Sequence, residues 1–232
     1  MHIVKIKRVN NKDVTLLKNL NVIISLIISL LCIDAHAVEN GSMAYKNINK
    51  ILTLIDQHAK SPYTGLIATL VSDIEDISLD DIELSVMHNE KLLNTIEVDE
   101  DGSVEFHLLE KNIGKEAIVH INQPKGTVSL SLLAGVKKIN SRQVLYDDIF
   151  SVLDDLDKVA SEMIGLPTWM LPDLDYLAFH FNSAAVITLT GIGIHEIYQS
   201  NSEHIIEIER NSDFQESILV FTTLPVSVTF LH

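Results

Sequence analysis

The sequence predicts a mainly β protein with two or three helices, in which two small antiparallel β-sandwich-like units are joined by an acidic amphipathic helix. Segments of alternating apolar and polar residues recur along the chain, as in antiparallel strands that bury one face. Two apolar stripes with helical spacing interrupt these segments. Finally, EAIVHINQPKGTVSLSL from Glu116 and ESILVFTTLPVSVTFL from Glu216 share one pattern, which suggests an internal duplication.

The chain begins with a predicted secretory signal peptide over residues 1–37. Five basic residues precede an apolar run of about a dozen residues, and Ala35-His36-Ala37 forms an A-x-A cleavage site. The run is shorter than the roughly twenty apolar residues that span a bilayer. An uncleaved anchor is one alternative. A lipoprotein modified at Cys32 is another, although Leu31 is larger than the small residue expected before a lipidated cysteine. We therefore expect a periplasmic protein, with a secreted or cell-surface location as the alternative.

Charge and cysteine content narrow the classes of function. Cleavage after residue 37 would remove five of the 17 basic and two of the 32 acidic residues, leaving 12 and 30 and a net charge of −18. Such a surface repels nucleic acid and anionic lipid. The single Cys also leaves with the signal peptide, so no disulfide or thiol nucleophile is expected. The expected partner is a protein, with no nucleic acid, no membrane beyond the signal peptide and no cofactor.

Residues 38–65 are predicted as an N-terminal helix and a linker. Apolar residues recur at spacings of three and four between Met43 and Lys60, which places them on one helical face. Ser42 is the expected N-cap. Ser61-Pro62 should end the helix, because the residue before a proline avoids the α region.

Residues 66–140 are predicted as the first β unit. In one of its strands Val104, Phe106 and Leu108 share a parity and should face the core. Tight reversals are expected at Asp101-Gly102 and at Pro124-Lys125-Gly126. Several short strands joined by such turns are typical of a small sandwich.

Residues 141–174 are predicted as the acidic helix and a Pro/Trp connector, and residues 175–232 as the second β unit. Gly165 should stop the helix. If the two β units, each of roughly fifty residues, are copies, four apolar side chains should point inward and their serine and threonine neighbours outward. The four are Val128, Leu130, Val228 and Phe230. Chance similarity between alternating strands is the alternative to duplication.

The chain resembles known proteins in two respects. The first β unit, with its turn-and-strand segment VDEDGSVEFHL, resembles the prealbumin-like and carboxypeptidase-regulatory-like sandwiches in general shape, over about fifty residues and without a specific motif. The whole layout, with NQPKG inside a strand pair, resembles an uncharacterised family of exported gammaproteobacterial proteins. The first resemblance implies a sandwich fold. The second implies no known activity, so neither assigns a function.

Three histidines are the candidate metal ligands. His107, His120 and His180 each occupy the polar parity of a predicted strand, and His107 and His120 could lie on neighbouring strands. Two imidazoles with Glu105 would offer the nitrogen and oxygen ligands that zinc or copper accepts. No short-range motif supports such a site. The favoured interpretation is three solvated side chains and no bound metal.

The segment GLPTWMLPDLDYL holds the only tryptophan, Trp169, followed by Met170 and Leu171. Its prolines stiffen it and prevent regular strand pairing. The favoured interpretation is a hydrophobic plug that fixes the helix against the second β unit. The alternative is an exposed anchor for a partner, because tryptophan is enriched at interaction hot spots.

The sequence therefore predicts an exported binding or structural module without catalysis. One alternative is a periplasmic protein that binds a small ligand or a metal through its histidines. The other is a hydrolase with an unrecognised site, although none of the common nucleophile motifs is present.

Overall fold

The structure of the 232-residue chain is a computed structural model that describes residues 41–72 and 77–231. Within these ranges it contains three α-helices and fourteen β-strands in antiparallel sheets, which confirms the predicted mainly β, sandwich-like fold. None of the helices in the described ranges is long and apolar enough to span a membrane. The predicted signal peptide lies outside the described residues.

The first compact part, called unit I, comprises residues 41–57, 66–72 and 77–134. Its elements are β1 (Ser42–Ala44), α1 (Tyr45–His58), β2 (Thr64–Ser72), β3 (Leu84–His88), β4 (Lys91–Ile96), β5 (Ser103–Val104), α2 (Lys111–Glu116), β6 (Ile118–Ile121) and β7 (Val128–Val136). They form a four-stranded sheet of order β1-β6-β3-β4 and a three-stranded sheet of order β5-β2-β7. The outermost ends of α1, β2 and β7 fall beyond the unit.

The second compact part, called unit II, comprises residues 58–65 and 135–231. Its elements are β8 (Gln143–Leu145), α3 (Tyr146–Ile164), β9 (Tyr176–His180), β10 (Val186–Gly191), β11 (Ile194–Gln199), β12 (Ile205–Glu209), β13 (Ile218–Phe221) and β14 (Ser227–Leu231). The sheets have the orders β11-β10-β13-β8 and β12-β9-β14.

The two units share one topology. Each begins with a short strand that runs directly into a helix, β1 into α1 and β8 into α3. The order β4-β3-β6-β1 in unit I corresponds strand by strand to β11-β10-β13-β8 in unit II, and β5-β2-β7 corresponds to β12-β9-β14. The repeat predicted from the sequence is therefore present in the fold. It is larger than the predicted fifty-residue unit, because each copy includes its own helix.

The register of the paired strands is also the same in the two units. Ile118 of β6 pairs with Ala44 and Met87, and Ile218 of β13 pairs with Leu145 and Thr190. The next residue of each central strand, Val119 or Leu219, is fully buried between two buried partners. Because side chains alternate along a strand, one matched residue pair determines which side of the sheet each remaining side chain of that strand points to.

The helices begin in the same way. Tyr45 and Tyr146 are the first residues of α1 and α3, and both are buried. The N–H of Tyr45 donates to the Ala117 carbonyl (2.9 Å), and that of Tyr146 donates to the Ser217 carbonyl (2.8 Å). The Tyr45 hydroxyl also donates to the carbonyl of His107, beyond β5, and the Tyr146 hydroxyl donates to the carbonyl of Glu209, the last residue of β12. Aligning the two tyrosines places an apolar stripe on the buried face of each helix.

Several expected boundaries differ from the structure. The helices predicted to lie outside the β units group with them, and residues 58–65 group with unit II. Ser42 is not an N-cap but part of β1, where it pairs with His120. Leu108 is exposed, because β5 ends at Val104 and the chain leaves the strand before Leu108; Val104 and Phe106 are buried as predicted.

The two similar stretches change sheets rather than form hairpins. β6 belongs to the four-stranded sheet of unit I and β7 to its three-stranded sheet, with Pro124 between them. β13 and β14 repeat this crossing around Pro225. The reversal expected at Pro124 therefore does not join a strand pair. The predicted parity in β7 and β14 is correct, although their four apolar side chains are half-buried rather than fully buried.

Candidate functional site

The end of α3 presents the tryptophan segment. Gly165 stops the helix by adopting a left-handed conformation (φ 70°), which a residue with a Cβ adopts only at a cost. The N–H of Leu166 then donates to the Ser161 carbonyl (3.1 Å), and the Ser161 hydroxyl donates to the Leu166 carbonyl (2.5 Å). These bonds satisfy groups at the helix end and fix the direction in which the chain leaves.

A single 3₁₀ turn, Thr168–Met170, follows between two prolines. The N–H of Met170 donates to the Pro167 carbonyl (2.9 Å), and the N–H of Leu171 donates to the Thr168 carbonyl (2.9 Å). Pro167 has a fixed φ and no N–H group that would need an acceptor. The segment is therefore held locally by its own backbone.

The tryptophan is not a plug. Trp169 is 80% exposed and Met170 is 52% exposed, whereas Leu171 is half-buried. Leu166, which the sequence pattern did not single out, is also exposed. We call Leu166, Trp169 and Met170 the Trp169 patch. The sequence signal that could have added Leu166 is its place directly after the stop glycine, where no helical face remains to cover it.

The three histidines do not assemble a site. His120 is exposed and lies directly opposite Ser42 and Ser85 in the sheet β1-β6-β3-β4. His107 is exposed beyond β5, and its carbonyl accepts the Tyr45 hydroxyl (2.6 Å). His180 belongs to unit II, where its Nε2 lies 2.8 Å from the Thr229 hydroxyl. Over residues 41–72 and 77–231, no three His, Cys, Asp or Glu side chains are grouped so as to hold a metal ion.

Two of the most perturbed ionisable groups are structural phenols. Burial raises the pKa of Tyr45 to about 12, although the hydrogen bond to the His107 carbonyl opposes the shift. Burial likewise raises the pKa of Tyr146 to about 12, against the opposing hydrogen bond with the Asn211 N–H. Because they occupy equivalent places at the starts of α1 and α3, these tyrosines belong to the shared fold rather than to a site of one unit.

One buried carboxylate was missed in reading the sequence. Asp155 is one of several aspartates in the predicted acidic helix, where a solvated side chain is the ordinary expectation, yet its side chain is fully buried. Its Oδ2 accepts the N–H groups of Lys60 and Ser61 (both 2.9 Å) and the Thr64 hydroxyl (2.8 Å). The carboxylate therefore holds the segment 58–65 against α3. Its position between the buried Val152 and Val159, three and four residues away, was the signal that could have revealed it.

The neighbouring Asp154 forms an ion pair on the surface of unit II. Its two carboxylate oxygens each lie 2.7 Å from a guanidinium nitrogen of Arg210. This two-pronged geometry suits arginine and carboxylate groups. The hydrogen bond to Arg210 lowers the pKa of Asp154, while partial burial opposes the shift.

Comparison with known proteins adds no assignment, since no protein-family model, curated protein or solved structure matches the chain. The resemblance to prealbumin-like sandwiches and to exported gammaproteobacterial proteins therefore stays an expectation. The Trp169 patch is the candidate functional site that the geometry itself singles out.

Proposed function

We propose that this chain is an exported, non-catalytic binding module that contacts a protein partner through the Trp169 patch. The observation that carries the proposal is the 80% exposure of the only tryptophan. A tryptophan is large and mostly apolar, so leaving it in water forgoes the free energy that burial would supply. A partner that covers it would recover that free energy.

The rigidity of the segment supports the same proposal. The stop glycine, the 3₁₀ turn and the flanking prolines hold the backbone of the patch before any partner arrives. Contact residues that are already positioned lose less conformational entropy on binding. Met170 and Leu166 extend the apolar area beside the indole, and methionine adapts readily to irregular partner surfaces.

Export is supported by the basic, apolar and A-x-A regions of residues 1–37. The protein's charge of −15 supports a protein partner over nucleic acid, whose phosphates would be repelled.

The proposal is tested with a photo-reactive benzophenone amino acid at position 169 of the full chain, produced in its native cells. The matched control carries the same group at position 92, because Leu92 is another strongly exposed apolar residue but lies in unit I. We expect one protein to cross-link at position 169 and not at position 92. That protein is then identified by mass spectrometry and purified.

Binding of the purified partner is measured next. Trp169→Ala should weaken the affinity by about tenfold or more, as expected for a hot-spot tryptophan, while Leu92→Ala should leave it unchanged. Both variants should keep the wild-type thermal unfolding midpoint, because both side chains are exposed. Equal cross-linking at the two positions, or an unchanged affinity for Trp169→Ala, would refute the proposed contact.

A further inference from the structure

A second exposed aliphatic surface lies at one end of the sheet β11-β10-β13-β8. Ile218 of β13 pairs with Leu145 of β8 on one side and with Thr190 of β10 on the other. Ile192 occupies the loop between β10 and β11, two residues beyond Thr190, and is 93% exposed. Leu145 is 50% exposed, and Ile218 is exposed as well. We call Leu145, Ile192 and Ile218 the aliphatic end.

The segments that carry the aliphatic end are held close together. The N–H of Tyr146, directly after Leu145, donates to the carbonyl of Ser217, directly before Ile218 (2.8 Å). A Cβ added at Gly191 would come within 2.4 Å of the Ser217 hydroxyl oxygen, so the start of the β10–β11 loop rests on the same segment. The surface is thus built on paired strands and on a loop that packs against them.

Unit I shows that the fold does not require these apolar groups. The register places Ala44 at the position of Leu145 and Asn89 at the position of Ile192, whereas Ile118 matches Ile218. The unit I loop is polar, and the imidazole of His88 lies 3.5 Å from the carboxylate of Glu116 beside it. Two of the three aliphatic residues are therefore particular to unit II and have no part in its core.

The Asp and Glu residues are the only formally charged residues in the segments that carry the aliphatic end. Asp147 follows Leu145 in the first turn of α3, and Glu216 precedes Ile218; both side chains are exposed. The three segments 143–148, 190–197 and 214–219 contain no Lys or Arg. A protein surface that buries the aliphatic end would be attracted if it carried basic groups at its edge, and repelled if it carried acidic ones.

We propose that the aliphatic end is a second docking surface, which inserts Ile192 into an apolar pocket bordered by Lys or Arg on a partner protein. A second copy of this chain is disfavoured, because two-fold pairing would bring Asp147 and Glu216 against their equivalents. Anionic lipid is disfavoured for the same electrostatic reason.

The aliphatic end and the Trp169 patch are at opposite ends of α3. That helix has 19 residues, so about 28 Å separate its ends at about 1.5 Å per residue. The two surfaces share no residue, so an experiment can refute one docking proposal and leave the other intact. The two proposals are therefore tested separately in the same full chain.

The test places a benzophenone amino acid at position 192 of the full chain in its native cells, with position 92 as the control. We expect a cross-link to a different protein whose linked peptide lies on a basic surface. The cross-link should weaken as salt concentration rises, because the charges at the edge of the interface are exposed.

That protein is identified, purified and titrated against four full-length chains. Ile192→Asn and Leu145→Asn remove the apolar contact, and Asp147→Lys combined with Glu216→Lys reverses the acidic edge. Each should weaken binding by about tenfold or more. Glu83→Lys, an exposed charge of unit I, should leave binding unchanged. Unfolding midpoints are measured for all variants, and Ile192→Asn should fold normally because Ile192 is an exposed loop residue.

Each other outcome overturns the proposal. A cross-link to a second copy of the chain would show a self-association surface, and a cross-link to lipid would show a membrane contact. Equal cross-linking at positions 192 and 92, no cross-link, or binding indifferent to both the Ile192 change and the charge reversal would show that the aliphatic end docks no basic partner.

Discussion

Asp155 illustrates how a single residue distinguishes the two copies of the fold. Aligned through Tyr45 and Tyr146, it occupies the position of the buried Leu54 in α1. In place of an apolar contact it supplies a carboxylate that accepts three hydrogen bonds from the segment 58–65. The three donors converge on Oδ2 and offset the cost of burying the polar group, whereas the buried Oδ1 has no hydrogen-bond partner.

We expect Asp155→Leu to destabilise the protein by about 3 kcal/mol or more. The substitution restores the residue type of unit I but leaves the N–H groups of Lys60 and Ser61 without their acceptor, and unsatisfied buried donors are costly. Asp56→Leu, at an exposed position of α1, should change stability by less than about 0.5 kcal/mol. Urea unfolding of both variants measures the difference, and a loss for Asp155→Leu as small as the control would show that the carboxylate is dispensable.

The ion pair of Asp154 and Arg210 predicts a pH dependence. Because Arg210 lowers the pKa of Asp154 in the folded state below its ordinary 3.8, the folded protein binds this proton less readily than the unfolded chain. The stabilisation is therefore present above the unfolded pKa and is lost as the pH falls through the folded pKa. Both side chains are substantially exposed, so we expect less than about 1 kcal/mol.

Asp154→Asn provides the measurement. The free energy of unfolding of the wild type should exceed that of the variant by a constant amount from neutral pH down to about pH 5, and the excess should vanish as the pH falls to about 3 and below. Lys46→Gln, at an exposed position of α1, leaves the pair intact and serves as the control. An excess that grew on acidification would have the wrong sign for a lowered pKa.

At the scale of the strand, substitutions of Phe106 and His107 test which of the residues after β5 point into the core. Phe106 is buried and meets the Tyr45 ring edge-on at a centroid distance of 5.9 Å, whereas His107 is exposed. Phe106→Ala should cost about 3–5 kcal/mol, the usual range for an emptied aromatic site. His107→Ala should cost little, because its hydrogen bond to Tyr45 uses the backbone carbonyl. Denaturant unfolding compares the two, and equal losses would contradict the observed facing.

Alternation predicted most strands correctly because a side-chain period of two survives any arrangement of the sheets. It placed Val104 and Phe106 inward, and the stretch from Glu216 contains β13 and β14. It could not show that β6 and β7 belong to different sheets, because a strand's sequence records which face is buried and not which strand lies beside it. For the same reason the crossing at Pro124 was mistaken for a reversal within a strand pair.

Helical periodicity had a similar limit. It identified α1 and α3, and Gly165 correctly marked the end of α3. The acidic composition of α3 nevertheless obscured the burial of Asp155. An aspartate in an acidic helix is usually solvated, although the position of Asp155 along the helix lies on the buried face. The exposure of Trp169 was also beyond the sequence, because a large aromatic between prolines fits a plug and an anchor equally well.

At the scale of the whole molecule, the repeat explains why one chain carries two stretches of the same pattern. Each stretch carries the chain from a four-stranded sheet to a three-stranded one. The copies differ most at surfaces, where unit II adds the Trp169 patch and the aliphatic end. Both copies bury a tyrosine at the start of the helix, Tyr45 or Tyr146, whereas these exposed apolar surfaces belong to unit II alone.

Processing of the N-terminus is the first prediction at this scale. An A-x-A site that follows a short apolar run should be cleaved by signal peptidase after Ala37. Intact-mass and N-terminal peptide analysis of the protein from native cells should therefore find Val38 as its first residue. Ala37→Pro should block cleavage and leave the longer form. Exported wild-type protein that retained residues 1–37 would contradict the predicted signal peptide.

The exposed indole of Trp169 underlies the proposed function, and it is the chain's only tryptophan, so steady-state fluorescence of the purified protein reports on it alone. We expect the folded protein to emit at a wavelength close to that of indole in water, with free access to acrylamide and little further red shift in denaturant. These values should not change with protein concentration. A blue-shifted, quencher-protected emission from the folded monomer would mean that Trp169 is a buried plug, and the contact surface would not exist.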